Sequence, residues 1–468
     1  MRRLLATVLV ALLAIPPQVQ ARGGGERELG RRFLLEARSQ LPLADDPALT
    51  EWVERLGMRL VDELGPQEFD YRFFVVESPT LNAFAVPGGY IFLFTGLIAR
   101  ASNEDEVAGV LGHEIGHVNA HHVVRLQQAG TVWSAAALLG MLLAAVNPVL
   151  AAGALAAAQT AQLKYSRDFE QEADYLGLRT TTEAGYDPHA LTSFFKQLLV
   201  EQRVNPTGVP PYMLSHPITE ERVANAESVI RSRGLETPTG RPLASADFLE
   251  VKAVATALDG PSEAVLATYR RRAEERPNDA QRQFLLGRVY QTVGRLDPAR
   301  IALERARDLG YGPRVDRPLG AVYLSLKQPE KAVGAFERYL TANAGDGWTH
   351  LYLGKALADA GKADEAVQEY QRAARLDDDL DEAHRLLGMA LGRGGDQAQG
   401  FYQLGTAALL RGDLEEAYSH YDRARPLLAE GTAQRAQVDA ALTELEPLVR
   451  ERVRERAAES RRRGVVPP

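Results

Sequence analysis

The chain of 468 residues contains no cysteine. That absence excludes disulfides, thiolate metal ligands, a cysteine nucleophile and a lipid-modified cysteine anchor. Basic charge is not in excess either. Against 54 Lys+Arg stand 62 Asp+Glu, a formal net charge of −8, so there is no overall positive field to gather nucleic acid. Long apolar runs are scarce. The run Leu4 to Ile15 is too short to span a bilayer comfortably. It follows Arg2 and Arg3 and precedes the small-residue site Val19-Gln20-Ala21, so residues 1–21 read as a secretory signal peptide cleaved after Ala21. Export without cysteine fits a bacterial periplasm. What remains is a globular composition, 45% hydrophobic and 25% charged, long enough for two or three domains.

One stretch organises the rest: Leu111-Gly112-His113-Glu114-Ile115-Gly116-His117. On a helix, positions i and i+4 share a face, so His113 and His117 can offer two imidazole nitrogens to one zinc ion. Glu114 then lies beside the metal, where it can take a proton from water. An ordinary helix with two histidines on one face is the plain alternative. Asn103 before Glu104, Asp105 and Glu106 starts that helix, which is expected to run from about Asn103 to Gln128. His121 continues the face, but at 1.5 Å per residue it sits about 12 Å from His113 and cannot share the ion. A metzincin would need Gly at position 120 and His at position 123; here stand Ala120 and Val123, so a third ligand must come from elsewhere.

Upstream, Glu26 to Leu64 is helical by period. Tyr71 to Val76, Leu81 to Val86 and Tyr90 to Phe94 then read as strands, the last two joined at Pro87-Gly88-Gly89. A small antiparallel sheet is expected, with Asn82, Ala83, Phe84 and Ala85 as an edge that could hold substrate as an added strand; a purely structural hairpin is the alternative. Downstream, Ser166 to Asp174 is rich in carboxylates. Asp168 with Glu172 and Glu170 with Asp174 are each i, i+4, so spacing leaves open which pair serves a metal, or whether the face is merely solvated.

Asn82-Ala83-Phe84-Ala85-Val86-Pro87-Gly88-Gly89, His113-Glu114-Ile115-Gly116-His117-Val118, Glu170-Gln171-Glu172-Ala173-Asp174 and Ser215-His216-Pro217 resemble, in that order, the motifs of the periplasmic zinc peptidases related to the CAAX prenyl protease, of gluzincin type. The resemblance implies one Zn²⁺ held by His113, His117 and Glu170, with Glu114 as base and Asp174 as the carboxylate behind a ligand histidine. It implies that His216 can occupy the metal's open position and hold the enzyme latent. Arg222 is a weaker candidate for contacting substrate or the developing oxyanion. Where members often carry Arg before the His that follows the motif, this chain has Ala120-His121-His122, which touches only a rim contact.

Thr131 to Leu163 is nearly free of charge and is broken by Asn147-Pro148. It reads as a helical hairpin on the core, a lid over the cleft, or a membrane-surface contact; the resemblance favours a lid or membrane-facing loop. Gly234 to Leu258, with Pro238, Gly240 and Pro242, reads as a linker. Beyond it Gly287, Gly320 and Gly354 recur at 33 and 34 residues, as do Ala299, Ala332 and Ala366. That is the period of tetratricopeptide (TPR) helix pairs, which stack into a solenoid and either bind a protein on their concave face or wrap the peptidase rigidly. After Gly388 the next glycine of this kind is Gly405, half a period on, marking a modified repeat, and Leu414 to Arg425 supplies a later second helix. Arg450 to Arg463 reads as an Arg/Glu helix that frays into a basic, Pro-terminated tail, with no assigned chemistry.

The expected architecture is mainly α with a small antiparallel sheet, a zincin-type peptidase domain followed by an α-solenoid. Its parts are a signal peptide at 1–21, a peptidase domain at 22–234, a linker at 235–259, TPR repeats at 260–430 and a C-terminal helix and tail at 431–468. The resemblance implies a zinc endopeptidase of the cell envelope, acting on misassembled outer-membrane proteins beside the β-barrel assembly machinery. A latent peptidase serving as chaperone or adaptor is the competing expectation.

Overall fold

The structure, a computed structural model, describes residues 24–128, 167–204, 209–236 and 245–462. The expected signal peptide, the apolar segment 131–163 and the last residues of the basic tail lie outside them. The chain divides into two units, one of residues 1–34 and 40–268, the other of residues 35–39 and 269–468.

In the first unit the described elements are α1 (Gly24–Gln40), α2 (Pro47–Asp62), β1 (Arg72–Val76), β2 (Ala83–Val86), β3 (Tyr90–Phe94), α3 (Thr95–Arg100), α4 (Glu104–Asn119), α5 (His122–Gln128), α6 (Arg167–Glu183), α7 (His189–Val204), α8 (Pro211–Ser215), α9 (Glu220–Arg233) and α10 (Ala246–Asp259). The sheet order is β1-β3-β2. β3, the central strand, is the most deeply buried, with Ile91, Phe92, Leu93 and Phe94 fully buried. β2 pairs antiparallel to it, Ala83 opposite Leu93 and Val86 opposite Tyr90. β1 runs parallel, Arg72 opposite Tyr90 and Val76 opposite Phe94. The antiparallel expectation therefore holds for the hairpin alone, and the sheet is mixed. The link from Glu77 to Asn82 carries the chain past the place that β3 later fills. Gly88 and Gly89 turn the hairpin at φ of 90° and 95°, values that favour glycine.

α4 is the buried centre of this unit. Asn103 caps it, its side chain accepting from the Glu106 N–H at 2.9 Å. Every residue from Glu106 to Val118 is buried, and the helix packs on α2, α6, α7 and β2. Burying Leu111 or Ile115 contributes about 1.5–3 kcal/mol each. Burying an unpaired polar group costs roughly 1–3 kcal/mol, so His113, Glu114 and His117, at 0%, 1% and 3% exposure, need partners. Gly116 and Gly177 bring the partners close. A Cβ on Gly116 would lie 2.9 Å from Ala173 O, and one on Gly177 would lie 2.8 Å from His113 N, so α4 and α6 meet backbone to backbone. The uninterrupted helix expected from Asn103 to Gln128 does not form. α4 ends at Asn119, His121 takes a left-handed φ of 52°, and α5 starts afresh at His122.

Residues 246–259, expected within a linker, form α10 instead. Ser245 caps it, accepting from Phe248 N at 3.0 Å. Phe248, Val251 and Val254, spaced three apart, are buried in the same core as α2 and α3.

The second unit is built of helix pairs: Ala280–Thr292 with Leu296–Asp308, Asp316–Ser325 with Pro329–Ala342, and Gly347–Asp359 with Ala363–Leu376. In each, the glycine of the first helix receives a bulky side chain from the second. A Cβ there would meet Leu303, Phe336 or Tyr370 at 2.6 Å. The half-period step after Gly388 has a structural cause. Helix Gln397–Leu410 packs as the second member against Asp381–Arg393, Leu404 facing Gly388, and as the first member against Leu414–Ala424, where Gly405 receives Tyr421. One helix serves two pairs.

Candidate metal centre

His113, His117, Glu170 and His216 bring one donor atom each within 4.8 Å of one another, and all four are buried. His117 Nε2 lies 3.0 Å from His113 Nε2, which lies 3.2 Å from His216 Nδ1. Glu170 Oε1 lies 3.2 Å from His216 Nδ1 and 3.5 Å from His117 Nε2. With bonds of 2.0–2.1 Å, a tetrahedral zinc ion separates its donors by about 3.3 Å. The nitrogen and oxygen donor set and its edges therefore fit zinc.

The backing of these donors fixes their protonation. His113 Nδ1 lies 2.9 Å from Asp174 Oδ1, which leaves Nε2 to face the cluster with its lone pair. Arg222 grips the same carboxylate through Nε at 2.8 Å and Nη2 at 2.7 Å, while its Nη1 lies 2.6 Å from Glu170 Oε2. Burial alone would raise Asp174, but Arg222 and His113 hold its carboxyl at about 2. Burial likewise opposes the Glu170 anion, and His216 and Arg222 outweigh it, so its pKa falls below the ordinary value. Burial, followed by the neighbouring imidazoles, drives His117 well below the usual histidine range, into the neutral form that offers a lone pair. Glu114 Oε1 is buried without a hydrogen bond among the described residues and lies 3.6 Å from His216 Nε2.

Spacing left Asp168 with Glu172 and Glu170 with Asp174 equivalent. In the fold Glu170 and Asp174 are 2% and 5% exposed and turn into the cluster, whereas Asp168 is exposed. His216, the residue after α8, is 2% exposed and belongs to the cluster. Arg222, the weaker candidate for contacting substrate or the developing oxyanion, is 5% exposed and paired with Asp174, Glu170 and the Pro217 carbonyl. Asn82, Ala83 and Phe84 lie at the start of the edge strand β2, which packs on α4, with their side chains buried. Beside them, Ala85, Val86 and Pro87 line a small cleft with His117, Val118 and His121. Sequence reasoning passed over Tyr212, fully buried with its ring 4.9 Å from that of His216, and His122, treated below. Tyr212 stands at no motif position, and His122, the His that follows the motif, was read in the sequence only as part of a rim contact.

Residues 47–230 match the model of peptidase family M48, and residues 354–395 match a TPR repeat. The chain is 28% identical over 403 residues to the β-barrel assembly-enhancing protease of Escherichia coli K12, covering 76% of this chain and 82% of that protein. It is 35% identical over 210 residues to the putative β-barrel assembly-enhancing protease of Vibrio cholerae, 43% of each chain. It is 36% identical over 148 residues to the mitochondrial metalloendopeptidase OMA1 of Arabidopsis thaliana, 32% of this chain and 29% of that one. The two histidines and the carboxylate all lie within residues 47–230 and mark that part of the chain as a metallopeptidase domain similar to peptidase family M48, with a TPR match following it in the chain.

Proposed function

We propose that the chain is a zinc endopeptidase of the cell envelope, in which His113, His117 and Glu170 hold the ion, Glu114 is the base and Asp174 orients His113. What carries this reading is the convergence of four buried donors beside Glu114 Oε1, a carboxylate oxygen without a hydrogen bond among the described residues. When bound, zinc supplies a Lewis acid that polarises the scissile carbonyl and lowers the pKa of water. Glu114 Oε1 accepts a proton from the attacking water and returns it to the leaving amine nitrogen. The β2 edge, from Asn82 to Phe84, takes the substrate chain through its main-chain groups, because its side chains face the core.

The substrates are misassembled outer-membrane proteins in the periplasm, and the TPR repeats bind them or the β-barrel assembly machinery. This rests on the relatives named for β-barrel assembly and on the repeat architecture. The position of His216 favours a second reading, a peptidase held latent while the chain acts as chaperone or adaptor. With zinc bound, a fourth protein donor such as His216 would take the position a catalytic zinc keeps for water.

Glu114→Gln tests the first reading. Casein hydrolysis should fall by about 10²–10⁴-fold while zinc stays bound; retained hydrolysis would overturn it. Full function of that variant in cells would favour the adaptor reading. In the latent case His216→Ala raises hydrolysis above that of the parent chain.

A further inference from the structure

The break at His121 has a chemical consequence. In an uninterrupted helix His122 would stand about 140° around the axis from His117. The left-handed turn at His121 instead folds His122 back, so that its Nδ1 lies 2.9 Å from His117 Nδ1. His122 is fully buried, its ring stacked on Phe169 at 4.5 Å and an interplanar angle of 9°. Its far nitrogen, Nε2, lies 3.2 Å from Glu172 Oε2, and Arg125 donates to the same oxygen at 2.8 Å. Arg125 in turn lies over Phe169, 4.4 Å from the ring centre.

We infer that His122 is a positioning residue for the metal ligand His117, passing the orienting hydrogen bond of Glu172 through an intervening imidazole. The proton positions follow from one requirement. For His117 Nε2 to present its lone pair to the ion, its proton sits on Nδ1 and is donated to His122 Nδ1. That nitrogen must then be an acceptor, which puts the His122 proton on Nε2, where Glu172 accepts it. Each histidine ligand thus has a carboxylate braced by an arginine behind it. Asp174 with Arg222 acts directly on His113; Glu172 with Arg125 acts on His117 through His122. The second i, i+4 carboxylate, which spacing could not separate from the ligand, orients the other side of the site.

The inference rests on the zinc reading of the cluster, and the test separates the two. Zinc affinity is measured by competition with a chelator on the full chain, alongside the melting temperature of the metal-free protein. His122→Phe keeps the ring on Phe169 and removes both hydrogen bonds, and zinc binding should weaken about 10–100-fold with little change in metal-free melting. His122→Asn, whose Oδ1 can accept from His117 Nδ1, should recover most of that loss. Should His122→Phe fail to fold, Glu172→Ala at the exposed end of the relay carries the test. It should weaken zinc binding, while Asp168→Ala, which removes an exposed carboxylate from the same helix, leaves it unchanged. Parent affinity in folded His122→Phe, a loss in His122→Asn as large as in His122→Phe, or equal effects of Glu172→Ala and Asp168→Ala would overturn the relay. A parent chain that binds no zinc would overturn the zinc reading itself.

Discussion

At the scale of residues, burial supplied what spacing could not. The sequence offered two carboxylate pairs with the same period, and only the depth of Glu170 and Asp174 against the exposure of Asp168 separates them. Arg222 was legible as a candidate, but a pattern does not tell which buried carboxylates its guanidinium meets in the fold. Away from the site, Asp259 ends α10 with a half-buried carboxyl. Burial raises it from 3.8 to about 6, although the Thr95 hydroxyl donates to it at 2.7 Å and Arg100 opposes the shift. Its position at a helix C-terminus also disfavours the anion. Because the folded value lies above the unfolded one, the stability that this group contributes is complete below about pH 3.8 and is lost as pH rises through about 6. Asp259→Asn, whose Oδ1 can still accept from Thr95, should melt higher than the parent chain at pH 8 and alike at pH 4. An equal difference at both pH values would refute the assignment.

At the scale of elements, the motif helix, the hairpin and the repeat helices were readable because their signals are local: an Asn cap before three acids, glycines at a turn, a period of 33 to 34. The break at His121 was not, since a histidine in the left-handed region carries no Gly, Asn or Pro signal. α10 was misread for the opposite reason. Pro238, Gly240 and Pro242 are breakers by sequence, but Ser245 caps a helix that starts at Ala246, and the apolar face of that helix was hidden by the breakers written before it. Phe248 anchors that helix with its ring 5.9 Å from that of Trp52. Phe248→Ala should cost about 3–5 kcal/mol of the first unit's stability. A linker residue would cost almost nothing, so chemical denaturation followed by Trp fluorescence distinguishes the two.

At the scale of the whole molecule, the division near Thr268 falls later than the sequence boundary, because α10 belongs to the first core. The second unit has its own buried cluster, running from Phe284 to Leu387. If zinc binds only the folded first unit, its removal acts on that unit alone by mass action, and a hundredfold excess of ligand over its dissociation constant is worth about 2.7 kcal/mol. Chelation should therefore lower the melting of the first unit and leave that of the repeats in place. Equal displacement of both transitions in calorimetry would contradict this.

The central claim is that His113, His117 and Glu170 hold one zinc ion next to Glu114. Anomalous diffraction at the zinc absorption edge, on crystals of the full chain, tests it most directly. The account predicts a single strong peak between the Nε2 atoms of His113 and His117 and the Glu170 carboxylate, with His216 Nδ1 on its remaining side in the latent state. A peak elsewhere, or none at this cluster in a proteolytically active preparation, would contradict it.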